Sequence, residues 1–130
     1  MALMTQPLAA KRTMLATPAA VGVARDLAGR ACKSWGQEDQ LDAAALVVSE
    51  LVTNAVTAKP GGEIRIELFL LANGIGVQVF DQSPAEPVLQ SFEPLDLSGR
   101  GLYIVTALTT ARGVTSVDGG KVVWAVLPRT

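Results

Sequence analysis

Apolar residues recur along this chain with two different periods, and the change of period marks its elements. Val21, Ala24, Ala28, Ala31 and Trp35 return every three or four residues. That is the spacing of one helix face, so a first helix is predicted over about 18–35. Thr17-Pro18 ahead of it offers an N-cap followed by proline at the first helical position, and Gly36 stops it. Leu41, Ala44, Ala45, Val48, Leu51, Val52 and Ala55 form a second stripe, predicting a helix over about 38–58 closed by Lys59-Pro60-Gly61-Gly62. The period then drops to two. Residues 63–71 begin by alternating polar and apolar, Ala72-Asn73-Gly74 is a hairpin turn signal, and Ile75 to Phe80 is the return strand. Residues 82–98, with Pro84, Pro87 and Pro94, read as a loop. A third helix is predicted over about 101–111. A second hairpin follows, with Gly113 to Val117 and Lys121 to Leu127 on either side of Asp118-Gly119-Gly120. Near the start, Lys11 to Ala16 reads as a short strand.

The order is strand, two helices, two strands, loop, helix, two strands. A helix must bury one stripe and a sheet one face. The expected class is therefore α+β: a two-layer sandwich, its mixed and mostly antiparallel sheet covered on one face by three helices. At 130 residues and 49% apolar composition, one folded domain with its own core is expected over 11–130, behind a flexible tail at 1–10. Net charge is −1 and the pI about 5.3, which speaks against direct nucleic-acid binding through a broad basic surface. No apolar run is expected to reach the roughly 20 residues of a membrane span, so no membrane partner is expected. Met1 to Ala10 lacks the basic-then-apolar order of a signal peptide. Cys32 is the single cysteine, so no intrachain disulfide forms. It sits on the first apolar stripe and reads as a core thiol, and the expected compartment is the cytoplasm.

The chain has no histidine. That rules out Ser-His-Asp and Cys-His mechanisms and leaves acid–base work to carboxylates, lysines or the substrate. Three short segments are candidates for chemistry. In Ser49-Glu50-Leu51-Val52-Thr53-Asn54-Ala55, Glu50 and Asn54 stand one helical turn apart, nearly opposite the apolar stripe, with Leu46 and Val47 flanking them. A carboxylate beside a carboxamide can polarise a hydroxyl and hold a metal-bound phosphate. It can also be an ordinary solvated face. In Asp81-Gln82-Ser83-Pro84, the carboxylate at a strand end can accept from an exocyclic amine such as that of adenine, or from its own backbone in a turn. Ser98-Gly99-Arg100-Gly101-Leu102 opens a helix. Its glycines allow close approach of a ligand and the helix end suits an anion, although a flexible glycine loop has the same composition.

The order and spacing of these three segments resemble the GHKL nucleotide-binding superfamily with the Bergerat fold. They are most similar to its bacterial branch of anti-sigma-factor serine/threonine kinases. Residues 49–55 look like the family's N box, Asp81-Gln82-Ser83-Pro84 like its first glycine box, and Ser98-Gly99-Arg100-Gly101-Leu102 like its second. Ala16-Thr17-Pro18 and Gly120-Lys121-Val122-Val123-Trp124 also resemble that branch. The resemblance implies ATP and Mg²⁺ as cofactors. Asn54 would hold Mg²⁺ against the phosphates, and Glu50 would be the general base. Asp81 would bond the adenine amine beside Ser83, and Gly99, Arg100, Gly101 and Leu102 would line the phosphate site under a lid at 82–98. The family's last strand commonly carries a hydroxyl residue that helps the aspartate hold adenine, and Val122 is expected in its place. Partners implied are a sigma factor and an antagonist protein that accepts the phosphate, and relatives of this kind often form homodimers. Within the same fold, a partner-switching module that binds ATP with little or no turnover is the alternative. A sensor histidine kinase would need a phospho-accepting histidine, which is missing.

Overall fold

A computed structural model of the chain describes residues 8–84 and 105–130. The elements run β1 (Leu8–Leu15), α1 (Ala19–Ser34), a 3-10 turn (Glu38–Gln40), α2 (Leu41–Ala58), β2 (Glu63–Leu71), β3 (Gly74–Asp81), a helical stretch at 105–108, β4 (Ala111–Val117) and β5 (Gly120–Leu127). The five strands form one sheet in the order β1-β2-β3-β5-β4, and all four pairings are antiparallel. The fold is therefore the expected α+β two-layer sandwich, its sheet antiparallel at every pairing among the described residues.

Alternation sorts each strand into two faces. Met14, Ile64, Ile66, Leu68, Ile75, Val77, Val79, Ala125 and Leu127 point to one face and pack with Ala20, Ala24, Ala28 and Cys32 of α1 and Ala44, Val47, Val48, Leu51, Val52 and Ala55 of α2. Small alanines on α1 let its axis come close to α2. The other sheet face carries Lys11, Arg65, Glu67, Phe69, Gln78, Phe80, Val122 and Trp124. Its ion pairs, Lys11–Glu67 at 3.4 Å and Arg65–Glu63 at 3.0 Å, are exposed and add little.

Local chemistry sets the element ends. Gly36, at φ +68, follows the last turn of α1; its N–H bonds Lys33 O, and the N–H of Gln37 bonds Cys32 O. This double closure is a Schellman ending. α1 starts one residue later than expected: Pro18 is the N-cap in place of Thr17, no side-chain cap forms, and Ala20 N–H bonds Thr17 O. The third helix stops at 108, short of the predicted 111. Thr109 Oγ1 turns back onto Val105 O, and Thr110 N–H already bonds Val126 O of β5. β1 begins at Leu8, opposite Leu70, so the sheet starts before Lys11. Buried Gln37 ties the turn after α1 to the far end of the described chain, exchanging three bonds with Thr130.

Two expectations about α2 change. Glu38–Ala58 is long and apolar enough to be a membrane-span candidate by length and composition, with mean hydropathy 1.4. In this fold it packs instead as a core helix against α1, β3 and β5. Its buried stripe is also wider than the sequence pattern suggests. Val47 is fully buried, whereas its neighbour Leu46 is 48% exposed. Cys32 is buried as expected, and burial, with Glu38 nearby as a lesser cause, raises its thiol pKa above the ordinary value.

The rotation of α2 makes adjacent residues respond oppositely. Val47→Asp should cost about 3–5 kcal/mol by stranding a charge in the core. Leu46→Asp should stay within about 0.5 kcal/mol. Urea unfolding midpoints of the two variants check the rotation directly.

Candidate functional site

Asp81 is the last residue of β3 and lies on the helix-covered face, opposite the fully buried Ile64. It is only 2% exposed. A carboxylate so placed needs partners, and two neighbours supply them. Asp81 Oδ1 accepts from the backbone N–H of Ser83 at 2.8 Å, which turns the chain sharply after the strand. The ammonium of Lys121 lies 3.1 Å from Oδ1 and 2.9 Å from Oδ2, and also donates to Ser83 Oγ. Lys121 and Ser83 are each 4% exposed. No buried side-chain nitrogen or oxygen among the described residues lacks a partner.

Sheet register brings Lys121 there. In the β3–β5 ladder, Asp81 stands directly opposite Lys121. The two-residue turn Asp118-Gly119, with Gly119 at φ +80, starts β5 at Gly120. A Cβ on Gly120 would run into the carbonyl oxygen of Asp81, so only glycine lets β5 close on the end of β3. This corrects the expected neighbour. Val122 pairs with Phe80 and points to the opposite face, so the residue in the hydroxyl's place beside Asp81 is Lys121. The lysine was legible as a residue, but its pairing depends on two strands whose partners stand 40 positions apart. The turn reading of Asp81 holds, and the carboxylate that bonds its own backbone is buried as well.

Glu50 and Asn54 stand together on α2, both half-buried. Burial of Val47 moves the helix's buried stripe toward them. At about 100° per residue, Asn54 lies about 20° from Val47 and Glu50 about 60° from it. Asn54 therefore flanks the core side of α2, whereas Glu50 lies nearer the solvated back, about 20° from Thr57. The solvated back of the helix is Asp42, Leu46, Thr53 and Thr57. α2 packs on β3 and β5, the strands that carry Asp81 and Lys121. A half-buried carboxylate and carboxamide one turn apart are hard oxygen donors on a rigid element. They fit a cation such as Mg²⁺, which takes few protein ligands and fills the rest with phosphates and water. Ser49, beside them, bonds back to Ala45 O at 2.7 Å and has its hydroxyl proton engaged.

The proposed phosphate residues Gly99, Arg100, Gly101 and Leu102 lie outside the described residues, as does most of the proposed lid. A separate depression of about 540 Å³ lies on the sheet face turned away from the helices, lined by Arg65, Glu67, Gln78, Phe80 and Val122 among others. The Arg65 guanidinium sits 4.0 Å over the Phe80 ring there. None of Glu50, Asn54, Asp81 or Ser83 borders it.

Comparison with known proteins adds one finding. No curated protein matches the chain. The family model of the histidine kinase-like ATPase domain matches residues 14–127, from the end of β1 to the last residue of β5, so it takes in α2, Asp81 and Lys121 together. Such domains imply ATP binding, and the match supports the GHKL assignment. By this match over nearly its whole length, and with a helix-covered sheet that buries a carboxylate at the end of its central strand, the chain belongs to the histidine kinase-like ATPase domain family.

Proposed function

We propose that this protein is an ATP-dependent regulator of the anti-sigma-factor serine/threonine kinase type. In this reading it sequesters a partner such as a sigma factor in the cytoplasm. It transfers the γ-phosphate of ATP to a serine or threonine of an antagonist protein. The observation that carries the nucleotide part is the buried carboxylate of Asp81 at the end of β3, in a chain matched over 14–127 to an ATPase domain family. Asp81 takes the base amine, and Asn54 holds Mg²⁺ with the phosphates. Glu50 accepts the proton of the attacking hydroxyl as its oxygen bonds the γ-phosphorus. The bond from that phosphorus to the β–γ bridging oxygen breaks, and ADP leaves. Most of the rate comes from positioning and charge stabilisation, as is usual for phosphoryl transfer.

A second reading has a specific observation behind it. Lys121 already neutralises Asp81, which weakens base recognition. A partner-switching module with slow or no turnover uses the same fold and the same site.

Calorimetry tests the nucleotide reading. ATP should bind, and more tightly with Mg²⁺ than without. Asp81→Asn is the informative variant: like Asp81→Ala it leaves Lys121 without its counter-charge, at about 3–5 kcal/mol of stability, but it keeps the shape of the side chain and an oxygen that accepts from the ammonium. Loss of one hydrogen bond to a compensated acceptor is worth about 0.5–1.5 kcal/mol, so ATP should weaken about 2–13-fold. An unchanged affinity in Asp81→Asn removes the base assignment.

Glu50 and Asn54 should separate by role. Glu50→Ala should leave the Kd for ATP within about twofold. It should slow ADP production at least about a hundredfold, since a general base acts in the transition state. Asn54→Ala should abolish the Mg²⁺ dependence of binding. Wild-type rates in both variants would return the pair to a plain helix flank, and no ADP production by the wild type would leave the module reading.

A further inference from the structure

We propose that Lys121 sets the base choice of this pocket, letting it accept 6-oxo purine nucleotides nearly as well as 6-amino ones. The inference rests on Asp81 receiving the base. A carboxylate offers about four acceptor directions. Among the described residues, Oδ1 accepts from the Ser83 N–H and from Lys121, and Oδ2 faces the Lys121 ammonium as an ion pair at 2.9 Å. One direction remains on Oδ2. The ammonium donates to Oδ1 and to the Ser83 hydroxyl, with Oδ2 in ion-pair reach. The bond to Ser83 Oγ is the exchangeable one, because its acceptor is neutral and can bond water instead.

The pair therefore presents one acceptor and one exchangeable donor side by side. A 6-amino group donates to the remaining direction of Asp81. A 6-oxo group accepts from Lys121 in place of Ser83, and the neighbouring ring N1–H donates to Asp81. A lone carboxylate would reject the oxo base, since two sets of lone pairs would face each other with nothing between them. Lys121 supplies what lies between them. It also compensates the charge of Asp81, so the amine bonds a neutralised acceptor and gains less. Both effects narrow the gap between the two bases.

ATP and inosine triphosphate share ribose and phosphates and differ only at the base edge, so their Kd ratio isolates this contact. By calorimetry, the two values for the wild type should lie within about threefold. Lys121→Thr should tighten ATP and weaken inosine triphosphate, widening the ratio to at least about tenfold. Lys121→Met, which keeps the length of the stem and loses the donor, should do the same and serves if the threonine variant does not fold. Lys121→Arg should keep the narrow wild-type ratio. A wild-type ratio of tenfold or more overturns the proposal whatever the variants do, and so does a ratio unchanged by loss of the ammonium. Those outcomes leave ATP binding standing. Failure of the wild type to bind either nucleotide overturns the nucleotide reading and this proposal with it.

Discussion

β3 has to be buried on both sides, and most of the molecule follows from that constraint. It is flanked by β2 and β5, and all its residues but Gln78 are buried. α1 and α2 build the layer over Ile75, Val77 and Val79. On the other face, glycine at 74 and 76 lets neighbours close in. A Cβ at Gly74 would meet Leu127 O at 2.6 Å, and one at Gly76 would press on Leu71 at 3.3 Å. A strand enclosed in this way has no water with which to solvate an ionised group. Asp81 can end it only because β5 delivers a counter-charge in register.

That solution is not the cheapest in stability. A buried ion pair is often no better than an apolar pair of similar volume. Two rungs along the same ladder, on the same face, stands the apolar alternative, with Val79 opposite Val123. Ser83 completes the polar group from both its N–H and its hydroxyl, so the three residues behave as one unit. Changing any one of them alters the charge or the hydrogen bonds of the other two.

The elements themselves were largely legible in the sequence, because their signals are local. The apolar spacing of 21–35 and 41–55, Gly36 after α1, and the turns at Ala72-Asn73 and Asp118-Gly119 all act within a few residues. The two-layer class followed from their order. What was not legible depended on contacts between distant parts. The rotation of α2 hid in Val47, which looks like a stray apolar residue until the sheet is placed beneath it. The neighbour of Asp81 was misassigned by one position, because strand register is fixed by pairing rather than by local sequence. One step along β5 separates Lys121 from Val122 and turns the side chain to the opposite face. At the site, Asp81 was legible as a carboxylate at a strand end, but its charge partner was not.

The sheet order also has a kinetic side. β1 with β2, β2 with β3, and β4 with β5 are paired within the two halves of the described chain, and two of these three pairings are hairpins with two-residue turns. Only β3 with β5 joins the halves, across a separation of 40 residues at the Asp81–Lys121 rung. Closing that long loop carries the larger entropy cost and is the slow kind of contact in folding. A chain still emerging from the ribosome has made Asp81 before it has made Lys121. Until β5 docks, the carboxylate stays in water and the end of β3 stays open. The corner of Asp81, Ser83 and Lys121 is thus among the last parts of the protein to form, and it forms together with the completed sheet.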